Sequence, residues 1–416
     1  SLREIAANGS KEPIALSDQE AADQLASLLA DAVGGRMLAD VPLGAFLSGG
    51  IDSSLVAALM QDQSERPVKT FTIGFEEARF NEATYAKAVA KHLGTEHHEL
   101  YLSSRDAMDI VPELPTMFDE PFADSSQIPT YLVSRMTRDH VTVSLSGDGG
   151  DELMAGYTRY QLADGMSRRF GAVPAPLRRS MAGALGLLPD ALWDGVGGLL
   201  PASISKGRLG DRVGRFRDFL EQDDENAISR RQHTNWSQTE KIIAANDIAA
   251  KTPCDRSLSA DFPHFVSRMQ YMDFVGYLPN DILTKVDRAS MAVSLEVRVP
   301  LLDHRVVEFS WQLPFHQKFR NGKGKWLLRQ VLDRYVPADL IERPKAGFGV
   351  PIAAWLRGPM REWAEDLLAP NALADGGMPG HEAIRRAWGQ LLAGHARFQE
   401  PIWCILMYQA WRERQN

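Results

Sequence analysis

Seven residues, Ser48-Gly49-Gly50-Ile51-Asp52-Ser53-Ser54, are the part of this chain best suited to chemistry. Small residues let backbone N–H groups approach a polyphosphate closely, and a following helix start adds donors and the positive end of a dipole. Asp52 does not belong in a bare phosphate cradle, because two anions repel. It fits either as a ligand for a hard divalent cation or as a cap of the next helix. An ordinary strand–turn–helix joint with a serine cap is the plainer alternative. The full run, placed directly after an apolar segment, favours phosphate.

Other phosphate and hydrolase patterns are missing. Neither Gly322-Lys323 nor Gly324-Lys325 is followed by Ser or Thr, so no Walker A loop is present. No G-x-G-x-x-G, H-E-x-x-H or G-x-S-x-G occurs, which counts against a dinucleotide enzyme, a zincin and an α/β-hydrolase.

The elements around the motif read as parallel βα units. Val41 to Leu47 is a short, largely apolar run ending in Ser48-Gly49-Gly50, and Ser53 to Met60 reads as a helix. Lys69 to Phe75 is a second strand, and Glu82 to Leu93 has helical apolar spacing with Gly94 as its stop. Glu96 to Leu102 is a third strand. Val141 to Leu145 is a fourth, running straight into Ser146-Gly147-Asp148-Gly149-Gly150-Asp151-Glu152. Two strands therefore end in glycine-rich polar turns, at the strand ends where open parallel sheets collect ligands. Beyond Arg169 the alternation stops, and the last half is mostly helical, with amphipathic candidates at Asp261–Tyr277, Lys325–Arg334 and Ile384–Leu392.

The composition is ordinary for a globular protein. The 416 residues, 44% hydrophobic and 24% charged, suggest about two to three domains or one large domain with an appendage. A formal net charge of −8 argues against broad nucleic-acid binding. Two cysteines, Cys254 and Cys404, build neither a disulfide framework nor a thiolate metal site and fit a reducing, cytoplasmic setting. No apolar run approaches a membrane span, so no membrane partner is expected.

Taken together, the motifs resemble a family. Ser48 to Ser54 is similar to the phosphate loop of the PP-loop ATP pyrophosphatases, and Ser146 to Glu152 resembles a segment of the asparagine synthetases within that superfamily. Further matches lie at Phe71-Thr72-Ile73-Gly74-Phe75, Leu93-Gly94-Thr95-Glu96-His97-His98-Glu99 and Asp287-Arg288-Ala289-Ser290-Met291-Ala292. The last two are Glu296-Val297-Arg298-Val299-Pro300-Leu301-Leu302-Asp303 and Arg343-Pro344-Lys345-Ala346-Gly347-Phe348-Gly349-Val350-Pro351. Seven motifs stand in the family's order, from about residue 17 almost to the C-terminus.

The resemblance implies an α/β fold, a parallel twisted sheet flanked by helices, with a mostly helical C-terminal portion. It implies that Ser48, Gly49, Gly50, Asp52 and Ser53 hold the pyrophosphate of ATP and its Mg²⁺, with Asp151 as a second magnesium ligand. Leu47 and Ile73 would flank the adenine, and Ser146 and Gly147 would contact the nucleotide. Asp148 stands where many relatives have Glu, a residue implicated in forming the aspartyl-adenylate. Lys345 matches a lysine thought to stabilise the charged phosphoryl centre, and Lys325 is a further candidate of that kind. Structural readings stand beside these: Asp148 and Asp151 as turn carboxylates, Lys345 as a solvated loop lysine, His97 and His98 as structural or edge-of-site residues. The segment Asp119 to Ser126 is a candidate wall for the acceptor.

The implied reaction is amidation of aspartate through a β-aspartyl-AMP intermediate, with AMP and pyrophosphate released. Relatives obtain the ammonia from glutamine in an N-terminal domain with a cysteine nucleophile, and this chain has no cysteine before Cys254. Since it begins at Ser1 rather than Met, residues 1–16 are expected to be a linker from an absent upstream glutaminase domain. Residues 17–415 then form the synthetase domain, with a nucleotide-binding core over 17–165 and a mainly helical part over 166–415. The resemblance is also compatible with a homodimer. Open alternatives are amidation of another carboxylate, as in β-lactam synthetase-like or sugar-acid ligases, and a non-catalytic nucleotide-binding scaffold.

Overall fold

The computed structural model describes residues 1–75, 81–161, 173–188, 190–197, 209–221, 234, 236, 258–342, 349–378 and 380–415. The chain divides into two compact units. One comprises Ser1–Phe118, Asp124–Ala163 and Ser257–Val350, and the other Asp119–Ala123, Asp164–Arg256 and Pro351–Asn416.

The first unit is built on five parallel strands: β1 (Leu43–Phe46), β2 (Lys69–Phe75), β3 (Glu96–Leu102), β4 (Val143–Leu145) and β5 (Glu296–Arg298). Their order is β3-β2-β1-β4-β5. The chain thus steps outward from β1 to β2 to β3, then returns to the other side of β1. That reversal puts the carboxyl ends of β1 and β4 side by side at a topological switch point, where open α/β sheets bind ligands. Strand β2 is buried on both faces, Thr70, Phe71, Thr72, Ile73 and Phe75 alike, as a parallel strand covered by helices must be.

The unit's helices include α1 (Leu2–Lys11), α2 (Asp18–Met37), α3 (Ile51–Asp62), α4 (Ala83–Leu93), α5 (Gln127–Arg138), α6 (Gly150–Leu153), α7 (Phe265–Met272) and α8 (Thr284–Met291). They are followed by α9 (His304–Gln312) and α10 (Trp326–Leu332). Helix α3 buries Ser54 and every residue from Leu55 to Met60, so it is an inner helix rather than an amphipathic surface one. It begins at Ile51, two residues before the expected Ser53, because Gly50 is still extended as its N-cap. Asp52 therefore lies in the first helical turn, where a carboxylate is favoured by the dipole.

Three features were not expected from the pattern. Helix α1, in the stretch read as a linker, carries a Ser1/Glu4 capping box, and its Arg3 donates through Nε to Asp261 Oδ2 at 3.0 Å. Just beyond it, the Ile14 N–H donates to the Gln312 carbonyl at 2.9 Å, at the end of α9. Strand β5 is three residues long with one apolar side chain between Glu296 and Arg298, too short for an alternation signal. The amphipathic stretch from Asp261 resolves into α7 and then a π-helical segment, Asp273–Leu283, containing Pro279. A proline has no N–H for the α-helical ladder, and a wider turn accommodates it.

In the second unit all the described secondary structure is helical, including Ala175–Gly186, Leu209–Leu220, His381–Leu392 and Gln399–Gln415. Its core is set by the fully buried Trp388 and Trp403 with Ile384, Leu391, Ile402 and Leu406. The Trp388 indole donates to Glu365 Oε1 at 2.8 Å while Arg385 pairs with Oε2 at 2.7 Å, so the half-buried acid is satisfied from two sides. Among the described residues no helix is long and apolar enough to cross a membrane.

Candidate functional site

The two glycine-rich turns meet at the switch point. After β1, the Leu47 N–H still bonds to Phe71 O at 2.8 Å, and the chain then leaves the sheet. The loop is held by its own hydroxyls. Ser48 Oγ and Ser53 Oγ lie 3.0 Å apart, the Ser48 N–H donates to Ser53 Oγ at 3.2 Å, and the Gly50 N–H donates to Ser48 Oγ at 3.3 Å. Leu47 and Ile73 are both buried, Ile73 lying two residues along β2 from Phe71, the residue paired with the end of β1.

The second turn presses against the first. A Cβ on Gly147 would stand 2.7 Å from the Ser53 nitrogen and 2.8 Å from the Asp52 carbonyl carbon, so only glycine lets the loops touch there. Ser146 continues the ladder to Arg298 O at 2.9 Å. Its hydroxyl donates to Asp148 Oδ2, which folds that carboxylate back over its own turn. Burial raises the Asp148 pKa, against the lowering effects of the Ser146 hydroxyl and Lys285.

Lys325 joins the turns. Its ammonium contacts Asp52 Oδ2 and lies 2.8 Å from Asp151 Oδ1. Burial disfavours the charged amine, but Asp151 and Asp52 outweigh burial and hold the lysine protonated, well above its ordinary range. A buried ion group of this kind is stable only if every charge is answered. The two carboxylates named as magnesium ligands therefore converge on one cation. Two carboxylates within reach of one cation suit Mg²⁺, which is typically held by one or two carboxylates with phosphate oxygens and water.

Beside this centre lies a second polar cluster, of which the sequence reading named only Asp124 and Ser126, within the segment taken as a candidate wall for the acceptor. Lys285 Nζ bonds to Asp124 Oδ2 and Ser126 Oγ, each at 2.8 Å. Although burial works to raise it, the lysine keeps Asp124 below its ordinary value, while burial and the Asp124 charge push Asp281 up. Arg159 bonds to Asp273 Oδ2 at 2.9 Å and lies over the Tyr157 and Tyr277 rings at 3.9 and 4.8 Å. The π-helical segment supplies Asp273, Tyr277 and Asp281 from successive turns. Glu152, buried, accepts from Tyr157 Oη at 2.6 Å. Four-residue spacing of Asp273, Tyr277, Asp281 and Lys285 was the available signal, obscured by the apolar residues between them.

The structure thus brings together Leu47, Ser48, Gly49, Gly50, Asp52, Ser53, Ser146, Gly147, Asp151 and Lys325, with Ile73 alongside on β2. Lys345 lies outside the described residues. His97 sits in the second position of β3, at the amino end of the strands, with Nδ1 2.9 Å from Thr70 Oγ1 and burial lowering its pKa. It is a strand-packing residue remote from the loops. Among the described residues no cluster of three or more His, Cys, Asp and Glu forms a ready metal cage.

Comparison with known proteins agrees with the motifs. The asparagine synthase family profile matches residues 24–413. A putative glutamine-hydrolyzing asparagine synthetase of Mycobacterium tuberculosis is 36% identical over 401 residues, covering 95% of this chain and 58% of that protein. The glutamine-hydrolyzing asparagine synthetase 1 of Bacillus subtilis is 31% identical over 407 residues, covering 96% of this chain and 60% of its own length. The Bos taurus glutamine-hydrolyzing asparagine synthetase is 35% identical over 348 residues, 79% of this chain and 44% of that protein. This chain spans about three-fifths of the length of the two bacterial relatives.

Two outcomes test the geometry. Gly147→Ala must push backbone against backbone, so a stability loss of about 1–3 kcal/mol is expected in denaturant unfolding, and an unchanged midpoint contradicts the loop contact. Burial raises Glu152 to about 7 from 4.5, so the folded state binds its proton more tightly than the unfolded chain. That stabilisation is complete below the unfolded value and is lost as pH rises through the folded one. Glu152→Gln keeps an acceptor for Tyr157, and its melting temperature should fall less than wild type between about pH 5 and about 7.5. Superimposable pH profiles contradict the assignment.

Proposed function

This chain belongs to the asparagine synthase family, and from that membership and the site above we propose that it is the synthetase part of an ATP-dependent amide ligase acting on aspartate. The observation that carries the reading is the meeting of the two glycine-rich turns around Asp52 and Asp151 at the sheet's switch point. A carboxylate oxygen of the acceptor attacks the α-phosphorus of ATP, the bond to the β-phosphate oxygen breaks, and an acyl-adenylate and pyrophosphate result. Ammonia then attacks the acyl carbon, and AMP leaves as the amide forms.

The acceptor is already ionised, so the first step needs alignment and charge neutralisation rather than a base. In this reading the backbone amides from Ser48 to Ser53 bind the departing pyrophosphate, and the start of α3 adds its dipole. Asp52 and Asp151 would hold a Mg²⁺, whose charge would offset that of the polyphosphate. Leu47 and Ile73 flank the adenine, and Ser146 and Gly147 line the nucleotide. Lys325 and Lys345 offset the negative charge that gathers as the phosphoryl group transfers. Asp148 takes the place of a longer acid and acts near the adenylate.

Ammonia is read as coming from glutamine in a domain preceding this chain. The relatives' shared name and their greater length support that. Aspartate as acceptor rests on the same names.

The test is pyrophosphate release from Mg-ATP with ammonium and aspartate, glutamate or no acceptor. Aspartate-dependent release with asparagine among the products is expected, and Asp52→Ala should lower it by at least about 10²-fold. Release that ignores both amino acids contradicts aspartate as acceptor. Absence of ATP binding and release contradicts the ligase reading.

A further inference from the structure

Lys325 is more tightly built into the site than a phosphate-binding lysine needs to be. Its backbone is in the left-handed region at φ 58°, uncommon for a residue with a side chain. Its N–H is tied to the Met154 carbonyl at 2.7 Å, in the chain just beyond α6. The stem then passes through a slot at Gly156, where a Cβ would lie 2.1 Å from Lys325 Cε and 2.2 Å from Asp151 Oδ1. The slot delivers the ammonium to Asp52 and Asp151 together.

We propose that Lys325 is an internal stand-in for the divalent cation, occupying the place between Asp52 and Asp151 until a nucleotide arrives. The two carboxylates that pair with Lys325 are the same two read as metal ligands, so ammonium and metal compete for them. A tethered cation competes at a high effective concentration. A free divalent ion also meets a desolvated pair whose charge is already half neutralised. A nucleotide changes both terms: its phosphate oxygens complete the metal's shell and give the displaced ammonium an anionic partner. The free chain therefore binds divalent metal poorly, and metal and nucleotide strengthen each other's binding reciprocally. In the free site Lys325 acts by positioning, holding two like charges close together and preformed.

The second half of the inference rests on the nucleotide reading, and the first half does not. The experiment titrates the whole chain with Mn²⁺ alone, following free Mn²⁺ by electron paramagnetic resonance. Lys325→Met should bind Mn²⁺ at least about ten-fold more tightly than wild type without nucleotide, and Lys325→Met with Asp151→Asn should lose that gain. A variant no tighter than wild type overturns the proposal. So does wild type with nucleotide-free affinity equal to that of the variant. Wild type is also titrated with the non-hydrolysable analogue AMPCPP, which should tighten Mn²⁺ by at least about ten-fold. Should Lys325→Met not fold, wild-type Mn²⁺ affinity that is unchanged by bound AMPCPP overturns the proposal on its own. If AMPCPP does not bind at all, the nucleotide reading fails while the comparison of the two proteins with Mn²⁺ still decides the first half.

Discussion

A buried ammonium between two carboxylates constrains this site more than any other interaction. Moving Lys325 out of water costs several kcal/mol, and so does moving each acid, unless the charges meet with good geometry. Asp52 comes from the first turn of α3, Asp151 from α6 and Lys325 from the residue before α10. Three distant stretches of sequence must therefore converge. The strand order does this for the first two, because the reversal beside β1 sets the β1 and β4 turns next to each other. The return of residues 258–342 to the sheet unit, through β5, does it for the lysine.

Glycine follows from the same demand. Where Gly147 passes Ser53, and where Gly156 passes the Lys325 stem, any side chain would occupy space that another part of the site already holds. Gly147 was visible in the sequence as part of a turn and Gly156 was not singled out, but the role of both is one of close approach between segments about a hundred or more residues apart. Local propensity does not report such contacts.

This divides what the sequence disclosed from what it did not. β2 and β3 were readable to the residue, since Lys69–Phe75 is rich in β-branched and aromatic side chains and Glu96–Leu102 lies between Gly94 and Ser103-Ser104. The two turns were readable because small residues after an apolar run have a direct physical meaning. β5 was hidden by its length, α1 by its place in a stretch read as a linker, and the π-helical segment by a turn wider than the helical period. At the site, Lys325 was named as a charge donor, whereas its pairing with both Asp52 and Asp151 depends on tertiary approach. Asp124 fell within the segment read as an acceptor wall, but its cluster with Asp281, Lys285 and Arg159 was missed for the same reason. The members are spread over more than a hundred residues, and Asp281, Lys285 and Arg159 each alone read as an ordinary surface charge.

The central claim is that this site joins an acceptor carboxylate to the α-phosphorus of ATP, and one isotope experiment addresses that bond directly. Aspartate labelled with ¹⁸O in its side-chain carboxylate is turned over with Mg-ATP and ammonium, and the products are read by mass spectrometry. Attack by that carboxylate predicts one ¹⁸O atom transferred to each AMP formed, with none in pyrophosphate. Unlabelled AMP, or products consisting of ADP and phosphate, would contradict the account.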